Sequence, residues 1–98
     1  MAVFSLRVEK TGNTIRVYAS NAHGGNEIVV LVRLQRHIQY LGGVGTYYIW
    51  PNKAIEPGLS TLVHTEDLGS YGAGQRKVWF TGEYYEVEET TESEQVTV

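Results

Sequence analysis

No cysteine occurs in these 98 residues. Disulfides, thiolate metal ligation and cysteine nucleophiles are therefore excluded, and stability has to come from packing and sheet hydrogen bonds. Such a chain suits a reducing interior and equally an exterior or virion setting. Long apolar runs are missing too: the longest, residues 28–32, has five residues, against the roughly 20 of a membrane-spanning helix. No membrane partner is expected. The amino terminus, Met1-Ala2-Val3-Phe4-Ser5-Leu6-Arg7, has no basic segment leading into an apolar stretch. No signal peptide is therefore expected, which favours a cytoplasmic or virion-associated location. Basic charge is scarce as well: 8 Lys and Arg stand against 11 Asp and Glu, a net charge of -3. That balance disfavours nucleic acid and anionic lipid, both of which reward a basic patch.

What is present suffices for one modest core. Hydrophobic residues make up 42% of the chain and charged residues 19%, with two Trp, seven Tyr and two Phe, well away from disordered compositions. Phe4, Leu6 and Val8 alternate with Ser5, Arg7 and Glu9, the period-two signature of a strand with one wet face. After Gly12-Asn13, a pair suited to a hairpin turn, Ile15, Val17 and Ala19 alternate with Arg16, Tyr18 and Ser20. The cluster Asn21-Ala22-His23-Gly24-Gly25-Asn26 predicts the next turn. Beyond it, Ile28, Val30, Val32, Leu34 and Ile38 are expected on one face of a strand, with Val29, Leu31, Arg33, Gln35 and His37 on the other. The β-branched crowding disfavours a helix there.

Gly42, Gly43 and Gly45 predict a break before the aromatic run Thr46-Tyr47-Tyr48-Ile49-Trp50. A strand is expected over Leu59-Ser60-Thr61-Leu62-Val63-His64-Thr65, and a glycine-rich loop over residues 69–74. In the last strand, Val78 and Phe80 are expected inward with Lys77, Trp79 and Thr81 outward. After Gly82 the expected phase puts Tyr85 and Val87 inward and Tyr84, Glu86 and Glu88 outward. About seven short strands separated by turns predict an all-β fold, a small antiparallel β-sandwich of immunoglobulin-like type, with a small barrel as the alternative. The segment Ile55-Glu56-Pro57-Gly58-Leu59 resembles the Pro-Gly corner of immunoglobulin-like bacterial and viral modules over those few residues. Residues 1–90 form the expected single domain. Residues 91–98 are an acidic, β-prone tail in which Val96 and Val98 could pair with a sheet edge of this domain or of a neighbouring chain.

Motifs for chemistry are thin. His23, His37 and His64 lack the short spacing of metal ligands, so no metal or cofactor is expected. His23-Gly24-Gly25 resembles the oxyanion-hole loop of esterases, yet no Gly-x-Ser-x-Gly supplies a nucleophile, and a turn accounts for the glycines. Residues 69–77 imitate a phosphate loop, but Gln75 stands where the lysine belongs and Arg76 where the hydroxyl belongs. Glu66 with Asp67, and Glu83 with Glu86, Glu88 and Glu89, read as solvated charge; a glycosidase needs two carboxyls held across a cleft about 5 to 10 Å apart.

The unusual feature is aromatic. Tyr18, Tyr48, Trp50, Trp79 and Tyr84 are the interface or ligand candidates, with Trp79 and Tyr84 outward by alternation. Exposed rings of this kind anchor protein interfaces or stack sugars. The expected function is a non-enzymatic structural or adaptor module that binds a protein partner or itself, of a kind that suits a viral or phage structural or accessory protein. A carbohydrate-binding module using Trp50, Trp79 and Tyr84, with Asn52 and Glu83 orienting the glycan, is the alternative. A small enzyme pairing a histidine with a carboxylate is the third reading.

Overall fold

A computed structural model of the chain describes residues 4–22, 24–25, 27–69, 77–86 and 92–97. His23, the phosphate-loop imitation over residues 70–76 with Tyr71, Val87, Glu88, Glu89 and Val98 lie outside the described residues. Among the described residues there are eight strands: β1 (Phe4–Thr11), β2 (Thr14–Asn21), β3 (Val29–Tyr40), β4 (Gly43–Ile49), β5 (Lys53–Ile55), β6 (Ser60–Asp67), β7 (Val78–Glu86) and β8 (Glu92–Thr97). They make two antiparallel sheets, one ordered β1-β2-β6 and the other β4-β3-β7-β8, with β5 also paired to β3. The expected small sandwich is thus present, its two sheets separate rather than closed into a barrel.

Local chemistry explains the connections. Gly12 takes φ 61° between the paired Thr11 and Thr14, while Asn13 keeps a negative φ. Glycine at the first central position is the requirement of a type II′ hairpin. At the Pro-Gly corner, Leu59 N–H donates to Glu56 C=O at 3.1 Å and Gly58 has φ 79°. Pro57 second and Gly58 third is the arrangement of a type II turn.

The core unites Phe4, Leu6, Ile15, Val17 and Ala19 of the smaller sheet with Val29, Leu31, Leu34, Ile38, Val78, Phe80 and Tyr84 of the larger. Ile55 and Leu68 are buried with them. Asn21, expected in a turn, instead ends β2 and is buried. Its Nδ2 donates to Ile55 C=O at 2.8 Å and to Glu27 C=O at 3.1 Å, and its backbone bonds Gly58 and Leu59. One residue therefore ties the end of β2 to the end of β5 through its side chain and to the Pro-Gly corner through its backbone.

Two expected strand phases are corrected. In β3, Leu31 pairs with Tyr84 and Arg33 with Glu83, so Val32 has no counterpart on β7. That bulge reverses the alternation. Val29 and Leu31 are buried before it, and Leu34 and Ile38 after it. Ile28, Val30 and Val32 consequently do not join the core. In β7 the reverse holds: the expected switch at Gly82 does not occur. Val78, Phe80, Gly82 and Tyr84 are all buried in unbroken alternation. A Cβ at Gly82 would stand 3.1 Å from both Leu31 Cδ1 and Leu6 Cδ1, so the glycine lets the two sheets approach. Tyr84 therefore points inward, 2% exposed, its ring stacked on Phe4 at 4.2 Å.

β3 has 12 residues, and at about 3.3 Å per residue it spans about 40 Å. The molecule is 43 Å along its longest axis, a length comparable with that of β3. β4 and β5 follow each other along one edge of β3, interrupted at residues 50–52 opposite the bulge. Asn52, with φ 48°, carries the chain through the interruption, a conformation asparagine adopts more readily than most residues.

Candidate interaction surface

Partners directly across a sheet share a face, so the pairing register defines the outer surface of the larger sheet. One row is Tyr48, Gln35, Thr81 and Gln95; the next is Thr46, His37, Trp79 and Thr97. A third contains Arg33 and Glu83. Arg33 and Glu83 form an ion pair, and the guanidinium lies 5.3 Å from the Tyr48 ring and 5.7 Å from that of Trp50. Placed this way, Arg33 steadies two exposed rings by cation–π attraction.

His37 is held by three contacts. Its ring stacks on Trp79 at 5.1 Å, Nδ1 lies 3.1 Å from Thr46 Oγ1 and Nε2 lies 3.1 Å from Thr81 Oγ1. A threonine hydroxyl can donate or accept, so both ring nitrogens are satisfied when the ring is neutral. Burial favours that neutral form and lowers the His37 pKa from its ordinary value. Lys77 Nζ sits 5.3 Å from the Trp79 ring.

At the margin of this face is β4. Val44, Tyr47, Tyr48 and Trp50 are 53%, 54%, 51% and 60% exposed, and Tyr40 and Leu41 at the hairpin tip are exposed as well. No described strand pairs with the other edge of β4. Its sequence, Gly43-Val44-Gly45-Thr46-Tyr47-Tyr48-Ile49, has no charged residue. The other strands at sheet margins all carry charge: Arg7, Glu9 and Lys10 in β1, Lys53 in β5, Glu66 and Asp67 in β6, Glu92 and Glu94 in β8. Edge strands are ordinarily blunted by charge, proline or bulges, and β4 has no charge or proline.

Between the sheets lies a second polar group. Glu66 pairs with Arg36, and its other carboxylate oxygen is 2.9 Å from His64 Nε2. In the pairing of β2 with β6, His64 lies opposite Val17 and Glu66 opposite Ile15, which turns both toward the core side. Arg36, from β3, also lies 5.0 Å from the Tyr47 ring. Burial pushes the Glu66 carboxyl up, but hydrogen bonds and charge from His64 and Arg36 outweigh it and leave the pKa below the ordinary carboxylate value. Glu66 is therefore not the solvated charge the sequence suggested. His64 does meet a carboxylate, although Arg36 shares it. Among the described residues, no three His, Asp or Glu gather as a metal site.

The five aromatic candidates are dispersed. Tyr48, Trp50 and Trp79 belong to the larger sheet's outer region. Tyr18 is on the other sheet, paired with Arg7 and Leu62, with the Arg7 guanidinium 4.4 Å from its ring. Tyr84 is in the core, because the alternation continues through Gly82. Val96 pairs with Phe80 and packs against the core, placing the tail strand in its own domain's sheet. Val44 and Arg33 were not singled out from the sequence. For Val44, the uncharged stretch beside the glycine break was a usable signal; for Arg33, nothing short of the register placed it beside Tyr48 and Trp50. No protein-family description, curated protein or solved structure significantly matches the chain.

Proposed function

We propose that this chain is a non-enzymatic β-sandwich module that works through protein–protein association. The observation that carries the reading is the β3–β4 hairpin, where an uncharged edge with no partner among the described strands coincides with the largest run of exposed apolar side chains among the described residues. Tyrosine and tryptophan are enriched at interfaces because each buries a large apolar body and retains a polar handle. A structural or accessory subunit, including one of a virus or phage particle, is the kind of protein such an edge serves. Sedimentation across a concentration series tests the proposal on the full chain and on a Val44→Lys/Tyr48→Lys variant. Association that the two lysines abolish supports it. A wild-type chain that stays monomeric and binds no protein contradicts it.

The outer face of the larger sheet favours a second reading, glycan binding. Tyr48 and Trp79 stand on strands two apart, about 10 Å across the sheet, with Gln35, His37 and the Arg33–Glu83 pair between and beside them. Rings separated by fixed polar groups suit the apolar faces and hydroxyls of a sugar chain. Tyr84 has no part in this version. A glycan array showing signal that Trp79→Ala removes would favour it; a flat array would end it.

A further inference from the structure

We infer that the partner at the β4 edge is a second copy of this chain, added antiparallel about a two-fold axis that passes Thr46, so that the larger sheets of two molecules become one. This inference rests on the association reading above and names its partner. A two-fold dimer uses the same patch on both chains, so the strand must be complementary to its own reverse. For a strand spanning residues 43–49, the one such register that pairs all seven residues is centred on Thr46. It sets Val44 opposite Tyr48 of the second copy, Gly45 opposite Tyr47, Gly43 opposite Ile49, and Thr46 opposite itself.

The pairs other than Gly43 with Ile49 are each sterically and chemically favourable. Val44 with Tyr48 is an aromatic–β-branched pair and Thr46 with Thr46 a hydroxyl pair, both stabilising across antiparallel strands. Gly45 against Tyr47 places a ring over a glycine, a device that shields exposed sheet backbone. Tyr40 of the same chain already lies against Gly45, where a Cβ would come within 2.8 Å of its ring, so the second copy's Tyr47 would meet an aromatic neighbour. No pair brings like charges together, because the strand has none. That matters for a chain of net charge -3, whose other marginal strands carry charge.

The area is adequate for a reversible dimer. An aromatic side chain buries about 150–250 Å², and Tyr47, Tyr48 and Trp50 are each a little over half exposed. With Val44, Tyr40, Leu41 and the strand backbone, the patch is on the order of 500 Å² per chain. A two-fold contact then buries about 1,000 Å² in total, the lower bound for a specific interface. Association should accordingly depend on concentration.

The absence of native cysteine allows a direct test on the full chain. Residues directly opposite in an antiparallel pair have Cα atoms about 4.5 or 5.5 Å apart, both within disulfide range. Under mild oxidation, Thr46→Cys should form a disulfide dimer several-fold more readily than a control at exposed Ser5, Ser5→Cys. Val44→Cys and Tyr48→Cys should each cross-link poorly alone and well when mixed. The mixed pair keeps the test decisive if loss of the Thr46 hydroxyl disturbs folding. Equal cross-linking of Thr46→Cys and the control, with no gain on mixing, overturns the inference. If wild type nevertheless associates, the module reading survives without this register. If wild type is monomeric at every concentration and captures no protein, both fall; binding only an extended foreign peptide along β4 overturns the second copy as partner.

Discussion

Asn21 shows how much one buried polar side chain can organise. Its amide donates to two carbonyls from different segments, and nothing apolar of similar size can replace both bonds. Asn21→Ala should destabilise the fold by about 1–3 kcal/mol, since the carbonyls lose their donor in a buried setting. At about 4–8 °C per kcal/mol for a domain of this size, a thermal melt resolves the change easily. Gly82 is the apolar counterpart. Gly82→Ala places a methyl 3.1 Å from two leucine methyls, a gap the flexible leucine ends must widen, and Gly82→Val adds branches for which there is no such room. Urea midpoints should fall in the order wild type, Gly82→Ala, Gly82→Val, with overpacking costs of about 1–3 kcal/mol. An unchanged midpoint in the valine variant would show that the sheets are not pressed together at this point.

Among the elements, the pairing of β3 with β4 and β7 and the facing of β3 by β6 create two groups that titrate differently in the folded and unfolded chain. His37 has a lowered pKa in the fold, so as pH drops below about 6.5 the unfolded chain takes up its proton first. Stability from this source is complete above that pH and is lost as pH falls toward the folded value. Glu66 also has a lowered pKa, its ordinary value being 4.5. Its contribution is complete above that value and is lost as pH falls through the lower folded one. Acid titration of the unfolding free energy should therefore show a decline beginning near neutrality and a further decline in the carboxylate range. His37→Gln should remove the first and Glu66→Gln should flatten the second. Retention of the early decline in His37→Gln would assign it to another group.

For the molecule as a whole, charged β8 forms one margin of the larger sheet and uncharged β4 the other. A chain ending at Glu89 loses the strand that pairs with β7 and the apolar cover of Val96. It should unfold at lower denaturant concentration than any single-residue variant above, and the freed β7 edge should promote nonspecific aggregation. Because β4 is untouched, dimerisation should persist in whatever fraction stays folded. Loss of the dimer without loss of stability would instead make the tail the assembly strand.

Alternating side chains and turn chemistry were enough to read an all-β sandwich, its first hairpin and its Pro-Gly corner from the sequence, because each depends on residues close together in the chain. The phase of β3 and β7 was not legible in that way. Val32 becomes a bulge only because β7 offers it no counterpart, and Gly82 continues a strand only because Leu6 and Leu31 need its empty space. Tyr84 went to the core and Tyr48 and Trp50 to the surface for the same reason: a ring's exposure depends on which sheet covers its strand. The neutrality of β4 was written in the sequence, but its place at an open edge came from tertiary structure alone, since an edge is defined by the neighbour a strand does not have.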